Sequence, residues 1–240
     1  MKFYKITNEE ECHYGLQYHD GLVEDILPFN PTGSCTPGGI YFASEDIPAF
    51  LHYGPWIREV TIPEDAQVYK NPGSPNKWKA DKVLLGPRRR IDISVIKALI
   101  EEGADPKADG SLAIQWAARN GYMEIVELLL PYSYPEADDS GALRWAAHNG
   151  YLEIVKILLP YSDPKAGSSC ALSWAAQKGH LEIVQLLLPY SDPKACSSSA
   201  LYWAMVEGHQ RVVDLLLPVS DIRCWPTVEQ AMLEKYRRFT

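Results

Sequence analysis

Trp116, Trp145, Trp174 and Trp203 stand 29 residues apart, and each lies in a variant of one sequence phrase. Residues 141–160 read Gly-Ala-Leu-Arg-Trp-Ala-Ala-His-Asn-Gly-Tyr-Leu-Glu-Ile-Val-Lys-Ile-Leu-Leu-Pro, and 170–189 rewrite it from Cys170 to Pro189. Self-similarity at such a period marks a stacked-repeat architecture, in which each unit buries its apolar face only against its neighbours. A chain built this way presents an extended surface, which points to binding rather than chemistry.

A single repeat predicts two helices. Ala142 to Asn149 lacks Gly and Pro and ends at Gly150, a suitable residue just past a helix C-terminus. Tyr151 to Leu159 carries Leu152, Val155 and Leu159 at helical spacing, and Pro160 forbids continuation. Asp-Pro in the following loop favours a turn. Helices this short do not stand alone in water, so stacking must hold them. The Trp never changes, nor does the Ala after it (Ala117, Ala146, Ala175, Ala204). The reading is close backbone approach at Ala and a core slot filled by Trp, with Trp174→Ala costing about 3–5 kcal/mol. A ligand-stacking platform is the alternative for the Trp column.

Other columns vary freely, and these form the candidate recognition face. They are Gln115, Arg119 and Asn120 in the first repeat, then Arg144, His148 and Asn149, then Gln177 and Lys178, then Tyr202 and Glu207. Positions 115 and 119 share a helical face, as do 144 and 148.

A net charge of −8 with one short basic run, Arg88-Arg89-Arg90, argues against a nucleic-acid groove. The three arginines read as a solvated loop before a helix. The cysteines at 12, 35, 170, 196 and 224 form no Cys-x-x-Cys pair. Cys170 shares a column with Gly141 and Ser199, and Cys196 with Gly167, which suggests small-residue packing slots and reduced thiols, with no metal site. The acidic start without an apolar stretch does not resemble a signal peptide, and no run is long enough to span a bilayer. The expectation is an intracellular, cytoplasmic monomer that binds a protein partner, with neither nucleic acid nor membrane as partner.

The repeated phrase, with Ser-Asp-Pro-Lys-Ala behind it, resembles the ankyrin repeat (Thr-Pro-Leu-His-x-Ala-Ala-x-x-Gly-His-x-x-Ile-Val-x-x-Leu-Leu-x-x-Gly-Ala-Asp-Pro-Asn-Ala). Its short Trp-containing form is similar to the ankyrin-repeat families of giant DNA viruses of amoebae. The resemblance covers residues 111–223 as four units, with a partial unit at Ile96 to Ala108. It implies a mostly α, ankyrin-type helical solenoid that mediates protein–protein interaction. The family's usual period is 33. The shorter repeat predicts stunted or missing fingers, and the absent Thr-Pro-x-His removes hydrogen bonds that Trp packing would replace.

Residues 1–75 are β-rich and read as a small α+β domain, with one helix over 45–52 capped by Ser44. Residues 76–110 read as a linker and a degenerate capping repeat, after a Pro/Gly-rich stretch at 71–76. Residues 224–240 read as a C-terminal capping helix, with Trp225 at the junction. The stretch from Tyr18 to Ser44 faintly resembles the core of ADP-ribosyltransferases. That resemblance would place His19 and Tyr41 at the nicotinamide end of NAD, although Asp20 intervenes where the family has His directly before Gly. The leading expectation is no catalytic residue, no cofactor and a non-enzymatic protein; an ADP-ribosyltransferase-like NAD-binding module, targeted by the repeats, is the alternative.

Overall fold

The computed structural model describes residues 2–32, 36–71, 73, 75–223 and 225. The chain divides into two units, Met1–Trp116 with Leu128–Ser133, and Ala117–Glu127 with Tyr134–Thr240. The strands, all in the first unit, are β1 (Phe3–Thr7), β2 (Cys12–His13), β3 (Leu16–Gln17), β4 (Gly21–Glu24), β5 (Ile40–Phe42), β6 (Trp56–Thr61), β7 (Val68–Lys70), β8 (Trp78–Ala80), β9 (Lys82–Leu85) and β10 (Arg89–Arg90). The helices are α1 (Ile93–Glu101), α2 (Ala108–Asn120), α3 (Met123–Leu129), α4 (Ala137–Asn149), α5 (Leu152–Leu158), α6 (Ala166–Gln177), α7 (Leu181–Leu187), α8 (Ala195–Val206) and α9 (Gln210–Leu216).

An antiparallel sheet runs β1-β6-β9-β4 with β10 also on β6, and a second runs β5-β8-β7. Alternating residues turn inward from both sheets: Val23, Ile40, Phe42, Val60, Val83 and Leu85 are buried together with Leu16 and Tyr18. The stretch expected to begin a linker at 76 is therefore corrected. Strands β8, β9 and β10 fall there, and Ala80, Val83 and Leu85 belong to the core. Lysines and a tight Asp81 turn hid these strands, because their polar residues obscure the alternation. The first repeat helix is fastened to the same sheet: Lys2 pairs with Glu102 at 2.7 Å, the Tyr4 hydroxyl donates to the Glu102 carboxylate, and the Asp105 amide donates to the Glu45 carbonyl at 2.7 Å.

Two local expectations also change. Residues 47–53 form a 3-10 helix with Pro48 in its first turn, and the Ser44 hydroxyl caps nothing. The arginine run is not a loop: Arg89 and Arg90 pair with β6, and the Arg88 and Arg90 guanidinium groups lie 4.5 and 5.8 Å from the Trp56 ring centre.

In the second unit α4, α6 and α8 stack side by side, each against its own short second helix α5, α7 or α9. Leu143, Leu172 and Leu201 fill each pair, and the invariant Ala146, Ala175 and Ala204 are fully buried between helices. No strand interrupts residues 93–223 among those described. The prolines do not stop the second helices abruptly. Pro160 and Pro189 lie in the first turn of 3-10 segments, Leu159–Tyr161 and Leu188–Tyr190, where a missing N–H costs nothing. The expected capping helix lies outside the described residues. Trp225 itself is buried, with its indole N–H 2.6 Å from the Ser197 carbonyl.

No finger connects the repeats. Near the start of α4, α6 and α8 three successive left-handed residues break the helix: Asp138-Asp139-Ser140, Gly167-Ser168-Ser169 and Cys196-Ser197-Ser198, with φ between 46° and 61°. Side chains adopt this region at a cost that Gly escapes and that Asp and Ser partly offset. The columns of Cys196 and Gly167 are thus small because of backbone geometry, and Cys196 is exposed rather than in a packing slot. The third residue is buried, and its hydroxyl reaches the next repeat. Ser140, Ser169 and Ser198 Oγ accept from the amides of Asp163 (2.8 Å), Asp192 (2.9 Å) and Asp221 (2.7 Å). The Asp163 and Asp192 carboxylates then accept from the Lys165 and Lys194 amides, both at 2.9 Å, closing the Asp-Pro turn.

A second set of bonds corrects the expectation that Trp packing replaces lost histidine contacts. His180 and His209 Nε2 donate to the His148 and Gln177 carbonyls of the preceding repeat at 3.1 and 3.0 Å. Each ring lies on the glycine of that repeat. A Cβ on Gly150 would meet His180 at 2.6 Å and one on Gly179 would meet His209 at 2.5 Å, and both glycines have positive φ.

The Trp column is not core. Trp145 and Trp174 are half-buried and Trp203 is exposed, because on a helix the Trp lies about 200° from the inward Leu two residues before it. Trp174→Ala should therefore cost about 1–2 kcal/mol, the scale of an aromatic pair plus partial burial, instead of the larger cost of a core deletion. Ser169→Ala, which removes the hydroxyl that the Asp192 amide donates to, should cost about 0.5–1.5 kcal/mol. Cys196→Gly should stabilise by about 1 kcal/mol by relieving the left-handed position. Chemical denaturation of the three variants checks these values; a Trp174→Ala loss of about 3 kcal/mol or more would return the indole to the core.

Candidate functional site

On α4 and α6 the half-buried Trp145 and Trp174, with the side chains between them, form a short ladder. The Trp145 and Trp174 rings lie 5.4 Å apart, and the His148 ring sits edge-on to both at 6.0 and 5.4 Å. Cations cover the faces: the Arg119 guanidinium lies 4.3 Å above Trp145, and Arg144 lies 5.4 Å from Trp174. Farther along, Tyr202 and Trp203 meet edge-to-face at 5.3 Å. A guanidinium over an indole is attracted by the ring quadrupole while its edge keeps donors free for a partner.

The predicted face residues separate into those the ladder uses and those it does not. Arg119, Asn149, Lys178 and Glu207 are exposed, as is Asn120. Asn149 Nδ2 donates to the Arg119 carbonyl at 2.9 Å, so it ties two repeats together. Arg144 is held by the carboxylate and carbonyl of Asp138 at 3.1 and 2.6 Å. His148, Gln177 and Tyr202 are half-buried. Gln115 is a correction: it is buried and donates to the Gly110 carbonyl at 3.2 Å, since its position one residue before the Trp faces the left-handed turn. Burial lowers the His148 pKa, with Lys178, His180 and Arg119 adding to the effect, so the imidazole is neutral near pH 7. Its Nδ1 and the Arg144 Nε are buried without a hydrogen-bond partner among the described residues. The face therefore combines positive charge from arginine and lysine with aromatic surface.

Sequence reasoning missed two 29-residue columns. One is the buried serine at 111, 140, 169 and 198, legible as an invariant Ser near the start of each first helix. The other is the exposed tyrosine at 132, 161 and 190, in the 3-10 turn that follows α3, α5 and α7.

In the first unit a cavity of about 280 Å³ is lined by residues of β1, β2, β5 and the 3-10 helix, among them Lys5, Tyr18, Asp25, Tyr41, Phe50 and Lys77. Tyr41 donates from its hydroxyl to the Thr36 carbonyl at 3.0 Å. His19 is exposed, bonds locally to the Asp20 carbonyl at 2.9 Å, and does not line this cavity. The two residues singled out for nicotinamide are thus not gathered around one pocket. Asp20 instead serves Arg58, which also holds Glu11 through two bonds of 2.7 and 2.8 Å and the Gly86 carbonyl at 2.6 Å. These bonds, with burial opposing them, keep the Glu11 carboxyl below its usual range.

The model of the family described as ankyrin repeats (3 copies) matches residues 89–168 and again 163–225. Ankyrin repeat protein R229 of Acanthamoeba polyphaga mimivirus is 38% identical over 140 residues, 52% of this chain and 46% of its own. Ankyrin repeat protein R868 of the same virus is 34% identical over 134 residues, covering 53% of this chain and 66% of R868. Uncharacterized protein R869, also of that virus, is 40% identical over 135 residues, 53% of this chain and 96% of its own. The chain spans about half to two thirds of the length of R229 and R868. With the helix pairs stacked in register and the family pattern covering more than half its length, the chain belongs to the ankyrin-repeat family.

Proposed function

We propose that the chain is a non-enzymatic protein-recognition module, and that the partner docks on the first-helix face of the repeats. The observation that carries this reading is the ladder of Arg119, Trp145, His148, Trp174 and Arg144. Large aromatic side chains left half-exposed in register, each covered by a cation, combine the residue types that dominate binding hot spots. Residues flanking the ladder vary between repeats while the interior does not, which gives one scaffold a distinctive surface. The monomer suffices for such a face, and the viral relatives make a host-cell protein the natural partner.

Arg119→Glu with Lys178→Glu changes only exposed residues of this face, whereas Glu153→Ala with Lys156→Ala changes an exposed pair on a second helix. Both double variants should melt like the original chain. A partner captured from amoebal lysate and then produced in pure form should bind the face variant at least tenfold more weakly, about 1.4 kcal/mol, and the second-helix variant unchanged. Equal binding by the two variants would place recognition elsewhere.

A further inference from the structure

The cavity of the first unit contains a charge that the fold leaves unbalanced. Lys5 on β1 is only 7% exposed. Its ammonium has three donors. One reaches the Tyr41 carbonyl at 3.0 Å, and the group lies 4.4 Å above the Tyr18 ring. No carboxylate forms an ion pair with it among the described residues. Directly across the ladder on β6 stands Arg58, a second cation, which engages Glu11 and Asp20 and leaves nothing for its neighbour. Asp25 is the carboxylate whose field reaches Lys5, but its oxygens accept from the Gly39 and Leu27 amides at 2.5 and 3.0 Å.

Lys79 shows what a purely structural buried lysine looks like in the same domain. Fully buried, it donates to the Thr32 carbonyl and the Thr36 hydroxyl, both at 3.0 Å, and lies near the Tyr41 and Tyr69 rings. It does not line the cavity, whereas Lys5 does. Retaining an ammonium under-satisfied in a cavity costs stability, and a hydrophobic side chain of similar length would avoid that cost. Burial lowers the Lys5 pKa to about 8, with Asp25 opposing the shift, so the group still carries its proton near pH 7.

The rest of the lining defines what would complete the site. Tyr18, Tyr41, Phe50 and Tyr53 supply flat aromatic surface, which suits a planar ligand. The volume is at the small end of ligand pockets, which limits that ligand to a single ring or its equivalent. Lys5 is the buried cation of the lining, and the Asp25 carboxylate beside it is taken up by the Gly39 and Leu27 amides, which suits a ligand with a single negative charge. We propose that this cavity binds a compact planar monocarboxylate, its carboxylate seated on the Lys5 ammonium and its ring against the aromatic lining.

The test uses the full chain near pH 7 with benzoate, its neutral isostere benzamide, and inorganic phosphate, followed by calorimetric titration and thermal melting. Benzoate should bind saturably and raise the melting temperature, and benzamide and phosphate should bind at least tenfold more weakly. Lys5→Met should lose benzoate affinity tenfold or more while melting at or above the original temperature. Should that variant fail to fold, the ring-proton signals of Tyr18 and Tyr41 in the unaltered chain decide, since a saturable shift with benzoate supports the site and no shift overturns it. Absence of benzoate binding, equal binding of benzamide, tighter binding of phosphate, or unchanged affinity in Lys5→Met would each overturn it.

Discussion

The hydrogen bond from the Asp amide of one repeat to the buried Ser hydroxyl of the repeat before it sets the geometry of the second unit. Twenty-nine residues leave no room for a finger, so the chain must turn from one helix pair to the next within Ser-Asp-Pro-Lys-Ala and three left-handed residues. A backbone amide in so tight a turn needs an acceptor. The serine that ends each left-handed turn supplies it, and it fixes how far one loop lies from the next. With the loops held at one end and histidines bonded across repeats at the other, the first helices are clamped at both ends of their length. Their spacing is then short enough that only Ala fits between them, and this is why Ala146, Ala175 and Ala204 are fully buried.

The ladder of tryptophans is a consequence of that spacing. A large ring on the flank of a helix cannot enter an interface that accepts only Ala, so it lies along the outside, where Trp145 meets Trp174. The arginines and His148 fill the intervals, and a surface that is partly aromatic and partly cationic results. Family resemblance identifies the scaffold; the chemistry of this face belongs to the individual chain.

The first unit is arranged around buried cations as much as around its apolar core. Arg58 is fully served by Glu11, Asp20 and the Gly86 carbonyl, and it joins the β2 segment, the β4 approach and the β9–β10 turn to one strand. Lys79 ties the second sheet to the Thr32 carbonyl and the Thr36 hydroxyl. Lys5 stands beside them with one acceptor and an open cavity. Three lysine or arginine side chains on strands of the two sheets therefore occupy different states of satisfaction, and the difference arises from which segments reach each of them.

Helix pairs, their boundaries at Gly150 and Gly179, and the buried Ala column were legible in the sequence because they follow from local propensity and short-range periodicity. The early strands were legible for the same reason. Strands β8 and β9 were not, since Lys79 and Lys82 break the apolar pattern and acquire their partners only from Thr32, Thr36 and Asp65, far away in sequence. The candidate face was half legible: a repeat reports which columns vary, so Arg119 and Lys178 could be named, while Gln115 could not be recognised as buried. An invariant residue reports only that its environment recurs, and an outer ladder recurs as faithfully as a core. Whether Trp174 lies inside or on the flank, and whether Lys5 finds a counter-ion, depends on distances between segments that no local pattern encodes. Those distances are set by loop closure and by hydrogen bonds between repeats, and the tertiary structure alone decides them.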